Sequence, residues 1–148
     1  MRAIDAVRRS GVGIRPDQTI RAAAELMEQT GVGALAVIDG EELVGIVTDR
    51  DLVRRGLARG LASEARVDGV MTTPVVTVSA DADLHDAFAV FRKHALRRLA
   101  VVRAGRFLGT IAVDDLIVDL AADLADLARP IAAEVLFAHH DSPVPVAT

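Results

Sequence analysis

The chain has 148 residues, which is the size of one ordinary domain or of two very small units sharing a core. Its formal net charge is −4 with both signs interspersed, so it lacks the basic face that a nucleic-acid binder needs. It has no cysteine, which excludes disulfides, thiolate metal sites and cysteine nucleophiles together.

In chain order, a short extended segment (Val12–Arg15) leads into a helix-period stretch with Ile20, Ala24 and Met27 on one face. Thr19 stands where an N-cap belongs, and Gly31 can close the helix. Two apolar runs follow, Ala34–Ile38 and Leu43–Val47, joined by Asp39-Gly40, which reads as a hairpin turn. A second helix starts near Asp49. The polar stretch 60–73 contains a short apolar patch, Val67–Met71, and ends at Thr73-Pro74, where the proline ring favours an extended backbone.

The same series then recurs. Shifting the sequence by 64 places Ile14–Leu52 over Val78–Leu116 with eight identities, among them Asp17/Asp81, Leu35/Leu99, Gly45/Gly109 and Asp51/Asp115. Leu84, Phe88 and Phe91 take the helix positions, Asp83 the cap, and Ala104-Gly105 the turn between Leu99–Val102 and Phe107–Ile111. Another helix starts near Val113 and is expected to run to Ala128. Pro130 is expected to break or kink it, with a short extra helix over Ile131–Ala138. The expected organisation is a first repeat over 1–60, a linker over 61–73, a second repeat over 74–129, and a short helix with a disordered tail over 130–148. One strand-helix-strand-strand-helix unit is too small to cover its sheet, so the two must pack together. The fold class is α/β (α+β).

Gly45–Leu52 holds the most chemistry. It carries a strand straight into a helix, with Thr48 at the junction and Asp51 three residues on. Structurally, Thr-x-x-Asp is a capping box, with the hydroxyl accepting from a first-turn N–H and the carboxylate answering the helix dipole. Functionally, a helix start with free N–H groups suits a phosphate, and Thr48 can add a donor. Asp51, acceptor-only when ionised, would repel phosphate but suits the hydroxyls of a ribose. Both readings stand on the spacing alone.

The repeat, the Gly45–Asp51 segment and Val70–Val78 together resemble the CBS-domain family, whose tandem pairs are called Bateman modules. The resemblance spans roughly Ile4 to Asp119, and its finer detail is similar to small stand-alone CBS proteins of the hypoxic-response type. It implies two units related by a pseudo-two-fold axis, binding AMP, ADP, ATP or S-adenosylmethionine in clefts between them. Carried onto this chain, it implies that Asp51 holds ribose hydroxyls, Thr48 a phosphate, and Pro74, Val75 and Val76 the adenine. Arg97 and Arg98 would reach the phosphates, although a surface pair is the alternative. In the second copy Asp115 remains, but Ala112 replaces Thr48, and Gly33 and Ala34 stand opposite where the arginines would be. One good nucleotide site and one weak site are therefore expected. The family also implies a homodimer and an unidentified downstream protein partner.

Other signals are weaker. The letters of Gly31–Ala36 match a dinucleotide fingerprint, but they lie between a helix and a strand, the reverse of what that motif needs. His139-His140 with Asp141 could ligate a metal, but no metal site is expected. His85 and His94 fall on opposed helix faces. No Ser–His or Thr–His pair is evident, so a binding module is expected and not an enzyme. No apolar run reaches the ~18–20 residues of a membrane span, and no signal-peptide core opens the chain. A cytoplasmic protein is expected.

Overall fold

The computed structural model describes residues 1–8 and 10–137. Residues 1–113 form one compact unit holding two three-stranded sheets. In the first sheet β1 (Gly13–Ile14) runs parallel to β2 (Ala34–Asp39), and β2 runs antiparallel to β3 (Glu42–Thr48). In the second, β4 (Thr77–Ser79), β5 (Arg98–Arg103) and β6 (Arg106–Ala112) repeat this order and sense. Even the irregularity repeats: the ladder slips between Val37 and Ile38, and again between Val101 and Val102.

Helix α1 (Ile20–Thr30) starts at Thr19, whose hydroxyl accepts from the Ala22 N–H at 3.0 Å, and ends at Gly31 with φ 68°. Helix α3 (Leu84–His94) starts at Asp83, whose carboxylate accepts from the His85 N–H at 2.8 Å. The buried stripe differs by one residue from that expected. Ala23 and Met27 are buried and Ala24 is exposed, just as Ala87 and Phe91 are buried in α3 with Phe88 half-buried. Spacings of three and four both keep to one helix face, and the sheet selects the stripe running through Ala23 and Ala87. The first hairpin turn is also displaced by one. Asp39 pairs with Glu42, so the turn is Gly40-Glu41, with Gly40 supplying φ 63°. The second turn is Ala104-Gly105 as expected, both at positive φ.

The two copies exchange short segments. The 3-10 turn Val67–Gly69 lies against the first copy: Val67 N–H donates to Gln18 O, Asp68 N–H to Pro16 O, and Ala65 O accepts from Ile20 N–H. The turn Ala3–Ala6 repeats this on the second copy, with Ala3 to Ala82, Ile4 to Ala80, and Leu84 to Met1. Every partner is shifted by the same 64 positions, which is the pseudo-two-fold relation written in hydrogen bonds. Residues 1–6, at the start of the chain, thus dock on the second copy. Val67 and Val70 are fully buried with Ile14, Met27, Leu35, Val37 and Val47. Each such burial contributes roughly 1.5–3 kcal/mol, so this linker belongs to the core.

The second helix of the first copy, α2 (Asp49–Asp51), is one turn of α-helix that passes into a π turn (Leu52–Gly56) and a 3-10 turn (Leu57–Arg59). Gly56 is buried there, and a Cβ on it would stand 3.3 Å from Ile20 Cδ1, so its bareness lets the turn approach α1.

Residues from Asp114 onward form a separate unit. Helix α4 (Val113–Phe137) is continuous and contains Pro130. Of the break or kink expected there, the break does not occur. The flanking residues are Ala, Leu, Asp, Arg and Ile, mostly strong helix formers, and they outweigh one missing hydrogen bond. Among the described residues no helix is long and apolar enough to cross a membrane. The expected disordered tail and its His139-His140 pair lie outside the described residues.

Candidate functional site

Where β3 passes into α2, the capping box forms in full. Thr48 Oγ1 accepts from the Asp51 N–H at 3.1 Å, and Asp51 Oδ2 accepts from the Thr48 N–H at 3.0 Å. Asp51 has further company. The Thr72 hydroxyl lies 3.4 Å from both carboxylate oxygens, and Arg55 Nε lies 3.8 Å from Oδ1. Arg55 also donates through Nη1 to the Met71 carbonyl at 3.0 Å. Asp51 and Arg55 thereby tie the helix start to residues 71–72, just before the second copy begins. Thr72 is itself held in register by paired backbone bonds with Ile46, at 2.7 and 3.0 Å. The approach depends on Gly45, because a Cβ there would collide with the Met71 side chain.

Beside this junction opens a cleft of about 590 Å³, large enough for a small-molecule ligand. One wall is the strand-to-helix turn with Ile46, Thr48, Asp49 and Arg50. A second is Thr72, Pro74, Val75 and Val76. The third is the turn from α3 into β5, Ala95 to Arg98. The cleft is composite, with two of its three walls drawn from the second copy and its approach. Thr73-Pro74 is a cis peptide.

Six of the seven residues singled out from the sequence line this cleft: Thr48, Pro74, Val75, Val76, Arg97 and Arg98. Asp51 is set one step back, its side chain only 13% exposed, joined to the lining through Thr48 and Thr72. Asp115 lies in the first turn of α4, within the separate C-terminal unit. Arg50, Thr72 and Ile46 were not singled out. Arg50 could have been, since it sits two residues after Thr48 in the first turn of the helix. Thr72 could not, because its place beside Asp51 depends on how the linker folds back.

Arg98 reaches across to the first copy. A Cβ on Gly33 would stand 2.7 and 2.8 Å from its two terminal nitrogens, so the guanidinium fills the space that glycine leaves open. The Gly33 carbonyl accepts from Asp49 N–H at 3.0 Å, which places that guanidinium at the base of the helix start. Arg50, Arg97 and Arg98 face a single acidic lining residue, Asp49, whose carboxylate accepts from the Arg50 N–H. The cleft is therefore cationic, and planar guanidinium groups suit a phosphate or carboxylate. Its aliphatic wall at Val75, Val76 and Leu96 suits a flat apolar group. His85 is exposed and paired with Asp83, and His94 is exposed at the end of α3. Among the described residues no group of three or more His, Asp or Glu is arranged to hold a metal.

Two βαββα units sharing a composite, cationic cleft define a class: a tandem small-molecule-binding pair. The CBS domain matches this chain twice, at residues 4–58 and 67–122, and the chain belongs to the CBS-domain family. It is 38% identical over 106 residues to the CBS domain-containing protein YhcV of Bacillus subtilis, covering 72% of this chain and 76% of that one. A crystal structure of Hypoxic Response Protein I with two coordinated zinc ions superposes with a TM-score of 0.68 at 31% identity. That match covers 79% of this chain and 97% of that one. The CBS domain protein PAE2072 of Pyrobaculum aerophilum, complexed with AMP, shares the fold with a TM-score of 0.71 at 24% identity, covering 82% and 99%.

Proposed function

We propose that this chain is a regulatory module that binds an adenosine nucleotide of the AMP, ADP or ATP class in the cleft between its two copies, with S-adenosylmethionine as a further candidate. The observation that carries the reading is the composite cleft itself, lined by Thr48 and three arginines together with Pro74–Val76. Thr48 Oγ1 accepts from a backbone N–H and keeps its own proton to donate to a phosphate oxygen. Asp51 would accept from ribose hydroxyls once the Thr72 hydroxyl gives way. AMP in a related protein of the same fold supports the ligand class.

Occupancy would act through the linker. A ligand that draws on Asp51 competes with Thr72 and Arg55, which tie the helix start to residues 71–72. It would shift the packing of the two copies by its differential affinity for the two arrangements. The module is proposed as a binder and not a catalyst, and as a homodimer whose packing is read by a protein partner.

Calorimetry and thermal shift with AMP, ADP, ATP, S-adenosylmethionine and GMP test this. Saturable, adenine-selective stabilisation at one site per chain without turnover is expected. Asp51→Ala should weaken binding at least 100-fold and lower stability by about 1 kcal/mol through loss of its carboxylate bond to the Thr48 N–H. Product formation would refute the binder reading. No response to any nucleotide would leave only a dimerisation module.

A further inference from the structure

We infer that the cleft ranks adenosine ligands by their negative charge, taking the di- and triphosphate ahead of the monophosphate and rejecting S-adenosylmethionine. The first observation is what the helix start withholds. The Thr48 N–H donates to Asp51 Oδ2, that of Asp49 to the Gly33 carbonyl, and that of Arg50 to Asp49 Oδ1. The Asp51 N–H donates to Thr48 Oγ1, and that of Leu52 to the Asp49 carbonyl. Every amide from Thr48 to Leu52 thus has an acceptor within the fold, so none is left for a phosphate. Recognition of an anion falls to side chains: the single hydroxyl of Thr48 and the guanidinium groups of Arg50, Arg97 and Arg98.

The second observation is that these three cations are uncompensated. Among the described residues none of the three forms an ion pair, whereas Arg55, one turn beyond Asp51, is paired with it. The one acidic lining residue, Asp49, spends a carboxylate oxygen on the Arg50 N–H. Arginine keeps its charge at any working pH, so the three repel one another until a ligand brings negative charge among them. A monophosphate brings about two such charges, and each further phosphate brings more. S-adenosylmethionine sets a sulfonium and an ammonium against one carboxylate, so it adds to the repulsion. Depth orders the cations. Arg98 is half-buried, with its guanidinium over Gly33 at the base of the helix start, whereas Arg50 and Arg97 are exposed. The first phosphate meets Arg98 and the Thr48 hydroxyl, and a chain of phosphates growing outward reaches Arg50 on the rim. Arg50 is therefore the residue that reads phosphate number.

The inference rests on the nucleotide reading and narrows it. Calorimetry on the full-length chain, in EDTA so that no divalent cation masks the phosphates, should show affinity rising at least tenfold from AMP to ATP, with ADP between. S-adenosylmethionine should bind no more tightly than adenosine, and added salt should compress the ratio of ATP to AMP affinity. Arg50→Ala should weaken ATP at least fivefold more than it weakens AMP, and Arg50→Lys, which keeps the charge, should restore most of the ATP preference. Equal affinities for AMP and ATP, or S-adenosylmethionine as tight as ATP, would overturn the inference and leave the nucleotide reading standing. Equal losses of AMP and ATP in Arg50→Ala would overturn the part given to Arg50. A chain that binds none of the adenosine compounds would overturn the nucleotide reading, and the inference with it.

Discussion

Thr48 and Ala112 hold the same place in the two copies, and so do Arg97 and Gly33, and Arg98 and Ala34. The backbone treats these pairs alike: Asp49 N–H donates to Gly33 O at 3.0 Å, and Val113 N–H donates to Arg97 O at 2.9 Å. The side chains do not. On one side a hydroxyl sits at the helix start and two guanidinium groups stand opposite. On the other stand a methyl group, a bare Cα and another methyl group. Duplication preserved what the fold needs, namely the ladders, the bulges and the exchanged turns. Polar equipment was concentrated in one half. Gly33 shows the two facts to be linked, because the space that its missing side chain leaves open is filled by Arg98 from the other copy.

The comparison is broken most directly at the arginines. Replacing Arg97 and Arg98 by Ala removes two charge-assisted contacts, each worth roughly 1.5–3 kcal/mol. Affinity for AMP or ATP should fall about 100-fold or more, while adenosine, which lacks phosphate, is little affected. A loss as large for adenosine would mean that the arginines shape the cleft instead of meeting the phosphate. Gly33→Ala tests the same contact from across the cleft. Its Cβ displaces only the flexible end of Arg98, so affinity should fall several-fold with little change in thermal stability. An unchanged affinity would show that Arg98 can serve from another position.

Ala112→Thr attacks the comparison from the weak side. It gives the start of α4 the hydroxyl that Thr48 gives α2, and a gained N-cap contributes about 1 kcal/mol. For a chain of this size the melting temperature should rise by roughly 2–4 °C. Nucleotide stoichiometry should stay at one per chain, because Gly33 and Ala34 still offer no cation. A second site of equal affinity would show that the hydroxyl alone had made the copies unequal.

Legibility in the sequence followed the range of the interactions. The repeat, the caps at Thr19 and Asp83 and the αL stop at Gly31 are local, and all were readable. The Thr48–Asp51 box was readable as well, as was the grouping of Thr48 with Pro74–Val76 and Arg97-Arg98 once the family resemblance was used. One-residue errors arose where local rules allow two answers, as with Ala23 against Ala24 and the turn at Gly40. What stayed hidden is long-range. The docking of residues 1–6 on the second copy, the Thr72 contact to Asp51, the Arg55 contact to the Met71 carbonyl, and the nesting of Arg98 over Gly33 each join positions far apart in the chain. No spacing rule reaches them. Of the break or kink expected at Pro130, the break does not occur, for another reason: a breaker was weighed alone, without the helix formers on both sides.

The smallest difference between the copies is in their first helices, and it is sensitive to acid. Helix α1 is capped by Thr19, which does not titrate, and α3 by Asp83. The Asp83 carboxyl is held below its ordinary value, first by the His85 backbone N–H and then by the His85 ring at 3.0 Å. A carboxyl whose folded value is depressed contributes stability above its unfolded value and loses it as pH falls through the folded one. The start of α3 should therefore loosen below the ordinary carboxylate range, while the start of α1 does not. Asp83 is exposed, so the effect is local and modest. Hydrogen exchange read at neutral pH and again below that range should show protection at Leu84–Ala87 falling relative to Ile20–Ala23. Asp83→Thr should remove the difference by giving both copies the same uncharged cap. If the two helix starts lose protection together in the parent chain, acid acts on the shared core and the caps do not set the order.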